Sequence, residues 1–313
     1  MKILVTGGCG FVGSALVREL VKKGNEVTVF DRNEGYIKGV EYIKGDITKM
    51  EDVREAVKGK DYVYHLAAIL DETCPKKLMF DVNVGGTVSV LEACRREPVK
   101  KLIYLSTAGV MAETKEPANE STPYGPRTNY EKSKALAERT VLEYYKRYKL
   151  PVVIIRPALL YGPNKYWKEI LKAAMKGFPI IGSGKNKWHM LYIKNLIPVL
   201  VRAKSRGKPG EIYIIADEKV LTYEEMYRII REELGVKKEP RHVPVWLAKL
   251  LALLFKISGK RTIVTKEHIE RLVKNKYYDI SKAKKDLNYS PKYDFRRGIK
   301  ETIEYFKPEL QVR

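Results

Sequence analysis

Cysteine is scarce in this chain: Cys9, Cys74 and Cys94 are the only three in 313 residues. Three scattered thiols frame no disulfide scaffold and match no metal-ligand spacing. That usage fits a reducing compartment, and the chain is expected in the cytoplasm. Histidine is nearly as rare, and His65, His189, His242 and His268 do not fall at ligand spacing, so no metal site is expected. Long apolar runs are missing too. The strongest, residues 245–255, falls short of the ~20 residues of a membrane span and carries Lys249. It reads as a core-facing or dimer-facing helix, with pocket lining or membrane-surface contact as the other readings. Met1 runs directly into a strand pattern, so no secretory leader is expected. Acidic side chains are in deficit: 38 Asp and Glu stand against 60 Lys and Arg, a formal charge of +22. The lysines are spread along the chain, often near glutamates, with no basic tail and no arginine-rich block. A nucleic-acid footprint should cluster. The excess is therefore read as a solvated lysine-rich surface, and nucleic acid is not expected as a partner.

What is present is a globular composition, 44% hydrophobic and 31% charged, over a length that suits two domains. The apolar strand pattern over 2–5 runs into Thr6-Gly7-Gly8-Cys9-Gly10-Phe11-Val12-Gly13. Strand, glycine-rich turn and helix in that order make a pyrophosphate cradle. Gly7 and Gly8 allow the sharp turn, Gly10 removes the side chain where phosphates approach, and Gly13 lets the helix pack close. The helix expected over 11–23 aims its first amides, those of Phe11 and Val12 among them, at the phosphates. A second strand over 26–30 ends at Asp31, where a carboxylate reaches adenine ribose hydroxyls and repels a 2′-phosphate. That points to NAD. Arg32 follows directly and could hold such a phosphate, so NADP stays open.

Strands and helices then alternate. Strands are expected over 40–44, 61–66, 101–105 and 151–155, and helices near 49–58, over 77–95 and over 130–148. This repetition implies an α/β fold, a doubly wound parallel sheet whose ligands bind beyond the carboxyl ends of the strands. Tyr130 and Lys134 are four residues apart and share one helical face. An ammonium beside a phenol favours the phenolate, which makes Tyr130 a general acid or base for an alcohol/carbonyl pair. Ser106 and Thr107 end the preceding strand, and a hydroxyl there can hold the substrate oxygen beside the tyrosine.

These residues together resemble the extended branch of the short-chain dehydrogenase/reductase superfamily, the NAD-dependent epimerase/dehydratase family, over nearly the whole chain. Further segments carry the resemblance: Gly45-Asp46-Ile47, His65-Leu66-Ala67-Ala68, Asn83-Val84-Gly85-Gly86-Thr87, Leu105 to Val110, and Arg156-Pro157 to Pro163. The resemblance implies a Rossmann-type sheet with a smaller C-terminal α/β substrate domain. It implies a catalytic set of Thr107, Tyr130 and Lys134. It also implies a cofactor lined by Gly7, Gly10, Phe11, Val12, Asp31, Arg32, Asp46, Ile47, Leu66, Ala67, Ala68, Asn83, Tyr130, Lys134 and Pro157. Residues 1–156 with about 186–216 are expected to form the NAD domain. The substrate domain is expected to take about 157–185 and 217–313, and a homodimer is expected.

Departures from the family pattern bear on the substrate. Leu159 stands where sugar-nucleotide enzymes of this branch usually carry an asparagine. Lys187-Trp188-His189-Met190 replaces an arginine-bearing stretch, and Lys274 to Tyr278 replaces Arg-Pro-Gly-Asp. The C-terminal part is similar to the 3β-hydroxysteroid dehydrogenase and dihydroflavonol reductase-like groups. The expected reaction is therefore hydride transfer between NAD(P) and an apolar or weakly polar secondary alcohol or ketone. A sugar-nucleotide 4-epimerase or dehydratase is the alternative. A non-catalytic cofactor-holding regulatory or RNA-binding protein is a second.

Overall fold

The computed structural model describes residues 1–257, 269–270 and 272–310, with the backbone alone for 254–257. His268, named above, and the side chains at 254 and 255 of the apolar run lie outside the described residues.

Six strands open the central sheet: β1 Lys2–Thr6, β2 Glu26–Asp31, β3 Val40–Lys44, β4 Tyr62–His65, β5 Lys101–Leu105 and β6 Val152–Pro157. A seventh, Ile212–Ile215, pairs with β6, and the order across the sheet is Ile212–Ile215, β6, β5, β4, β1, β2, β3. All of these pairings are parallel. The order reverses between β1 and β4, which leaves a crevice at the carboxyl ends of those two strands. Every residue of β6 is buried, as a strand covered on both faces must be.

The helix after β1 spans Phe11–Lys22 and buries Gly13, Leu16, Val17 and Leu20 against the sheet. It stops one residue before the expected end because Lys23 is its C-cap and Gly24 takes a left-handed φ of +73°. The single helix expected over 77–95 is in fact three pieces: Lys76–Phe80, a π-helical turn Asp81–Gly85, and Gly86–Arg96. The widened turn accompanies Asn83, whose carbonyl accepts a side-chain bond from Thr87 Oγ1 at 2.7 Å. Such turns often mark functional positions. The long helix begins at Asn129 because Thr128 and Glu131 form a reciprocal capping box, and it ends at Tyr148.

Beyond β6 the chain builds short strand pairs. Leu159–Tyr161 pairs in parallel with Met190–Tyr192, Ile180–Ile181 with His242–Val243, and Lys187–Trp188 runs antiparallel to Leu221–Thr222. An aromatic cluster ties them to the C-terminal helix Phe295–Leu310, with the Tyr161 ring 5.0 Å from Phe295, 5.1 Å from Tyr192 and 5.6 Å from Trp167. Asp217 is buried at the same junction, and its Oδ1 accepts from Tyr192 N at 3.0 Å and Asn195 Nδ2 at 2.8 Å.

Candidate active site

The glycine turn follows β1 directly. Gly7 has φ +72°, and a Cβ there would stand 2.7 Å from the backbone N of Ala67 at the end of β4. A Cβ on Gly13 would stand 2.1 Å from Gly7 O. Glycine at these two positions is thus what lets turn, helix and neighbouring strand close together. The N-cap of Phe11–Lys22 is Gly10, which offers no side-chain cap, and the first turn holds no acidic residue. With no side-chain cap and no acid in its first turn, the helix presents its positive dipole end to the glycine turn, the environment a pyrophosphate requires.

Asp31 sits beside that turn. Its Oδ2 accepts from Cys9 N at 3.0 Å and its Oδ1 from Asn33 N at 2.9 Å, so the carboxylate is held in place before any ribose arrives. Arg32 is exposed next to it. Burial, with Asp31 nearby, pushes the Cys9 thiol up to about 11, so Cys9 is a protonated filler and not a reactive thiolate. After β3, Asp46 Oδ1 accepts from Thr48 N at 2.9 Å and Thr48 Oγ1 at 2.8 Å, and these bonds hold its carboxyl below the usual range. Ile47 is buried in the core with Val90 and Leu91. Leu66, Ala67 and Ala68 follow β4, half-buried along the crevice, while Pro157 is buried at the end of β6. A glycine turn at a helix N-terminus, a fixed carboxylate at the end of β2 and an apolar floor after β4 together fit a nicotinamide dinucleotide.

Two buried hydrogen-bond chains brace the floor. His65 Nε2 lies 2.9 Å from Thr87 Oγ1, and the Thr87 hydroxyl is already donated to Asn83 O. The imidazole must therefore donate through Nε2 and accept the Thr6 hydroxyl on Nδ1 at 2.7 Å. Burial, helped by the nearby Lys134 charge, pulls the His65 pKa down to about 3, so this histidine stays neutral and structural. Asn83, expected at the cofactor, has its side-chain amide held within the protein. Its Oδ1 accepts from Ile69 N at 2.7 Å, and its Nδ2 donates to Ile69 O and Ser133 Oγ, both at 2.9 Å. Ser133 in turn donates to Tyr130 O at 2.7 Å. Asn83 thus brackets the loop after β4 to the first turn of the Tyr130 helix.

Tyr130 is half-buried in that first turn, and Lys134 lies one turn below it, fully enclosed. Lys134 Nζ donates to Leu105 O at 2.7 Å, at the end of β5, and lies 4.2 Å from the centroid of the Tyr104 ring. Burial pulls its pKa down to about 7, against which Glu138 pulls up. Thr107 is half-buried two residues past Leu105, and its Oγ1 accepts from Gly109 N at 3.1 Å, which leaves its hydroxyl proton to donate elsewhere. The fold therefore brings Thr107, Tyr130 and Lys134 to one end of β5.

Glu138 escaped the sequence reading. It is fully buried and gathers Arg156 Nη2 at 2.5 Å, Arg156 Nε at 3.1 Å, Tyr124 OH at 2.7 Å and Ser106 Oγ. It fastens the strand end that carries Thr107 to the helix that carries Tyr130. The signal was available: Tyr130, Lys134 and Glu138 recur every four residues on one helical face.

Beyond these residues a cleft of about 670 Å³ opens between residues 112–115, 125–127 and Asn275. Glu113 Oε2 lies 3.1 Å from both Arg127 Nη2 and Lys274 Nζ at its edge. Leu159 is half-buried in its short strand. Trp188 is buried beneath Lys276, whose Nζ lies 4.9 Å from its ring. The Tyr277 hydroxyl donates to Lys115 O, and the Lys187 ammonium lies 4.7 Å from its ring.

A doubly wound parallel sheet, a phosphate-facing glycine turn at its switch point and a Tyr–Lys helix beside β5 define a dinucleotide-dependent oxidoreductase of the extended short-chain type. The chain belongs to the NAD-dependent epimerase/dehydratase family, whose model matches residues 3–216. It is similar to a 3-beta-hydroxysteroid dehydrogenase of Mycolicibacterium neoaurum, 30% identical over 97% of this chain and 91% of the relative. A 2-alkyl-3-oxoalkanoate reductase of Shewanella oneidensis is also 30% identical, over 95% of this chain and 84% of that protein. Among solved structures, a dTDP-glucose 4,6-dehydratase of Bacillus anthracis in complex with NAD superposes with a TM-score of 0.80 at 26% identity, covering 99% of this chain and 98% of that one. The protein is thus an NAD-dependent enzyme of the dehydrogenase, reductase and epimerase class.

Proposed function

We propose that the enzyme moves hydride between the nicotinamide of NAD and a secondary alcohol or ketone of apolar or weakly polar character. The observation that carries this reading is the bond from Lys134 Nζ to Leu105 O, which sets the Tyr130 helix against the strand end bearing Thr107. In that frame Tyr130 exchanges the hydroxyl proton of the substrate and Thr107 donates to the same oxygen. The Lys134 ammonium holds the nicotinamide ribose and favours the tyrosine phenolate. The dinucleotide, when bound, supplies or accepts the hydride. Gly7, Gly10, Phe11 and Val12 receive its phosphates, and Asp31 and Asp46 face its adenosine end. Residues 1–156 with 186–216 serve the cofactor, and 157–185 with 217–313 serve the substrate. The free thiols of Cys9, Cys74 and Cys94 support a cytoplasmic setting.

Leu159, Trp188 and Tyr277 support the substrate class, because they offer no planar bidentate anchor for a diphosphate. One observation favours a second reading. Glu113 bridges two cations, Arg127 and Lys274, and a phosphate could displace it, as a sugar-nucleotide 4-epimerase would need. Paired calorimetry on the NAD-loaded protein, with UDP and with steroid-like or flavonoid-like ketones, separates the two. Ketone binding and turnover without UDP binding is expected. Micromolar UDP binding with turnover of UDP-galactose would replace the first reading by the second.

A further inference from the structure

The helix Val245–Ile257 has two apolar faces. Ala248 and Ala252 are buried in a small cluster with Ile181 and Ile269, with Val243, Val245, Leu272 and Val273 packed around it. The other face carries Trp246, Leu250, Leu251 and Leu253, which are 67%, 44%, 44% and 53% exposed. Trp246, Leu250 and Leu253 stand at i, i+4 and i+7 and form one stripe. Among the described residues no other helix exposes more than two large apolar side chains. Apolar stripes of this kind mark interaction surfaces.

Charge says what covers it. Residues 240–257 contain no aspartate or glutamate, while Arg241, Lys249 and Lys256 lie within them, on a chain of formal charge +22. Lys249 Nζ meets Glu270 at 3.1 Å at the side of the stripe. No helix of the described residues is long and apolar enough to cross a membrane. A short apolar stripe with a tryptophan, basic flanks and no acid within its own segment is the composition of a helix that lies in a lipid interface.

We propose that this face docks on an anionic lipid surface, with the Trp246 indole at headgroup level and Leu250, Leu251 and Leu253 at the acyl boundary. The opposite face is already packed on the protein, so docking needs no unfolding. Leu272 and Val273 belong to that packed cluster, and Asn275, two residues further on, lines the cleft beside the active site. A docked enzyme would hold its cleft close to the lipid. The docking stands whether or not the apolar-substrate reading does.

Vesicle flotation of the full chain tests this, comparing phosphatidylglycerol-containing vesicles with pure phosphatidylcholine. Trp167 and Trp188 are only 1% and 7% exposed, so quenching by brominated lipid reads Trp246. We expect flotation with the anionic vesicles, a blue-shifted and quenched Trp246, and a partition weakened about tenfold at high salt. The Leu250→Ser/Leu253→Ser pair should lower partition by more than about tenfold with NAD binding unchanged. Absence of flotation overturns the proposal. So does flotation without Trp246 quenching, which would make the contact a general basic surface. A doubled mass with a blue-shifted Trp246 in lipid-free solution also overturns it, and assigns the face to a second copy of the chain.

Discussion

Glu72, in the loop after β4, accepts a hydrogen bond on its Oε1 from the backbone N of Tyr130 at 3.2 Å. The loop is thus fastened to the first turn of the Tyr130 helix. The carboxylate also meets the positive end of that helix, a contact worth roughly 0.3–1 kcal/mol. Glu72→Ala should therefore slow turnover about two- to fivefold while leaving NAD affinity unchanged. Steady-state kinetics beside NAD titration checks this, and an equal loss in both would place Glu72 on the cofactor side instead.

Tyr130→Phe should abolish nearly all turnover, by about 10²–10⁴, and still bind NAD. The ring remains in place and only the transferable proton is lost. Fluorescence titration with NADH alongside turnover decides it. Wild-type turnover in the phenylalanine variant would remove Tyr130 from the acid–base role.

Lys134 should make NAD binding pH-dependent. Burial pulls its pKa down to about 7 without the cofactor, so above that pH the side chain is neutral. If the charged form binds the nicotinamide ribose, binding takes up a proton. Affinity should then fall as pH rises above about 7, by up to tenfold per unit. Calorimetry in two buffers of different ionisation enthalpy measures the uptake. Lys134→Met should bind weakly with no pH dependence, and a wild-type affinity flat across that window would contradict the assignment.

Asp217 should shape the stability profile. Burial raises its pKa to about 7, although Asn195, the Tyr192 amide and Tyr161 each pull it down. Between about 4, the unfolded value, and 7 the native carboxyl holds a proton that the unfolded chain has released. Stability from this group is therefore greatest below that window, is lost as pH rises through it, and is level above, with a ceiling of about 4 kcal/mol. Asp217→Asn keeps an acceptor for the Tyr192 amide and should remove that slope. Urea unfolding of both proteins at about pH 5 and pH 8 compares them.

Tyr, Lys and Thr at the carboxyl end of β5, the glycine turn, Asp31 and the β-α alternation were all legible in the sequence. Each rests on local rules: period, turn chemistry and residue spacing along one element. NAD as cofactor and the family followed from those local signals in order. What the sequence did not carry was the direction in which a buried polar side chain turns. The amide of Asn83 is satisfied by Ile69 and Ser133, partners 14 and 50 residues away that no local rule names. Neither Glu138 nor Glu72 stands out in the sequence among the acids of its helix or loop. Only the packing of β5, β6 and the Tyr130 helix buries Glu138 against Arg156, and only the return of the β4 loop brings Glu72 to Tyr130. A buried donor or acceptor must find a partner, and which partner is within reach is a property of the tertiary fold. The exposure of Trp246 and Leu250 has the same origin. Their spacing fixes that they share a face, but which face of a largely apolar helix meets the protein is decided by Ile181 and Ile269 across the fold.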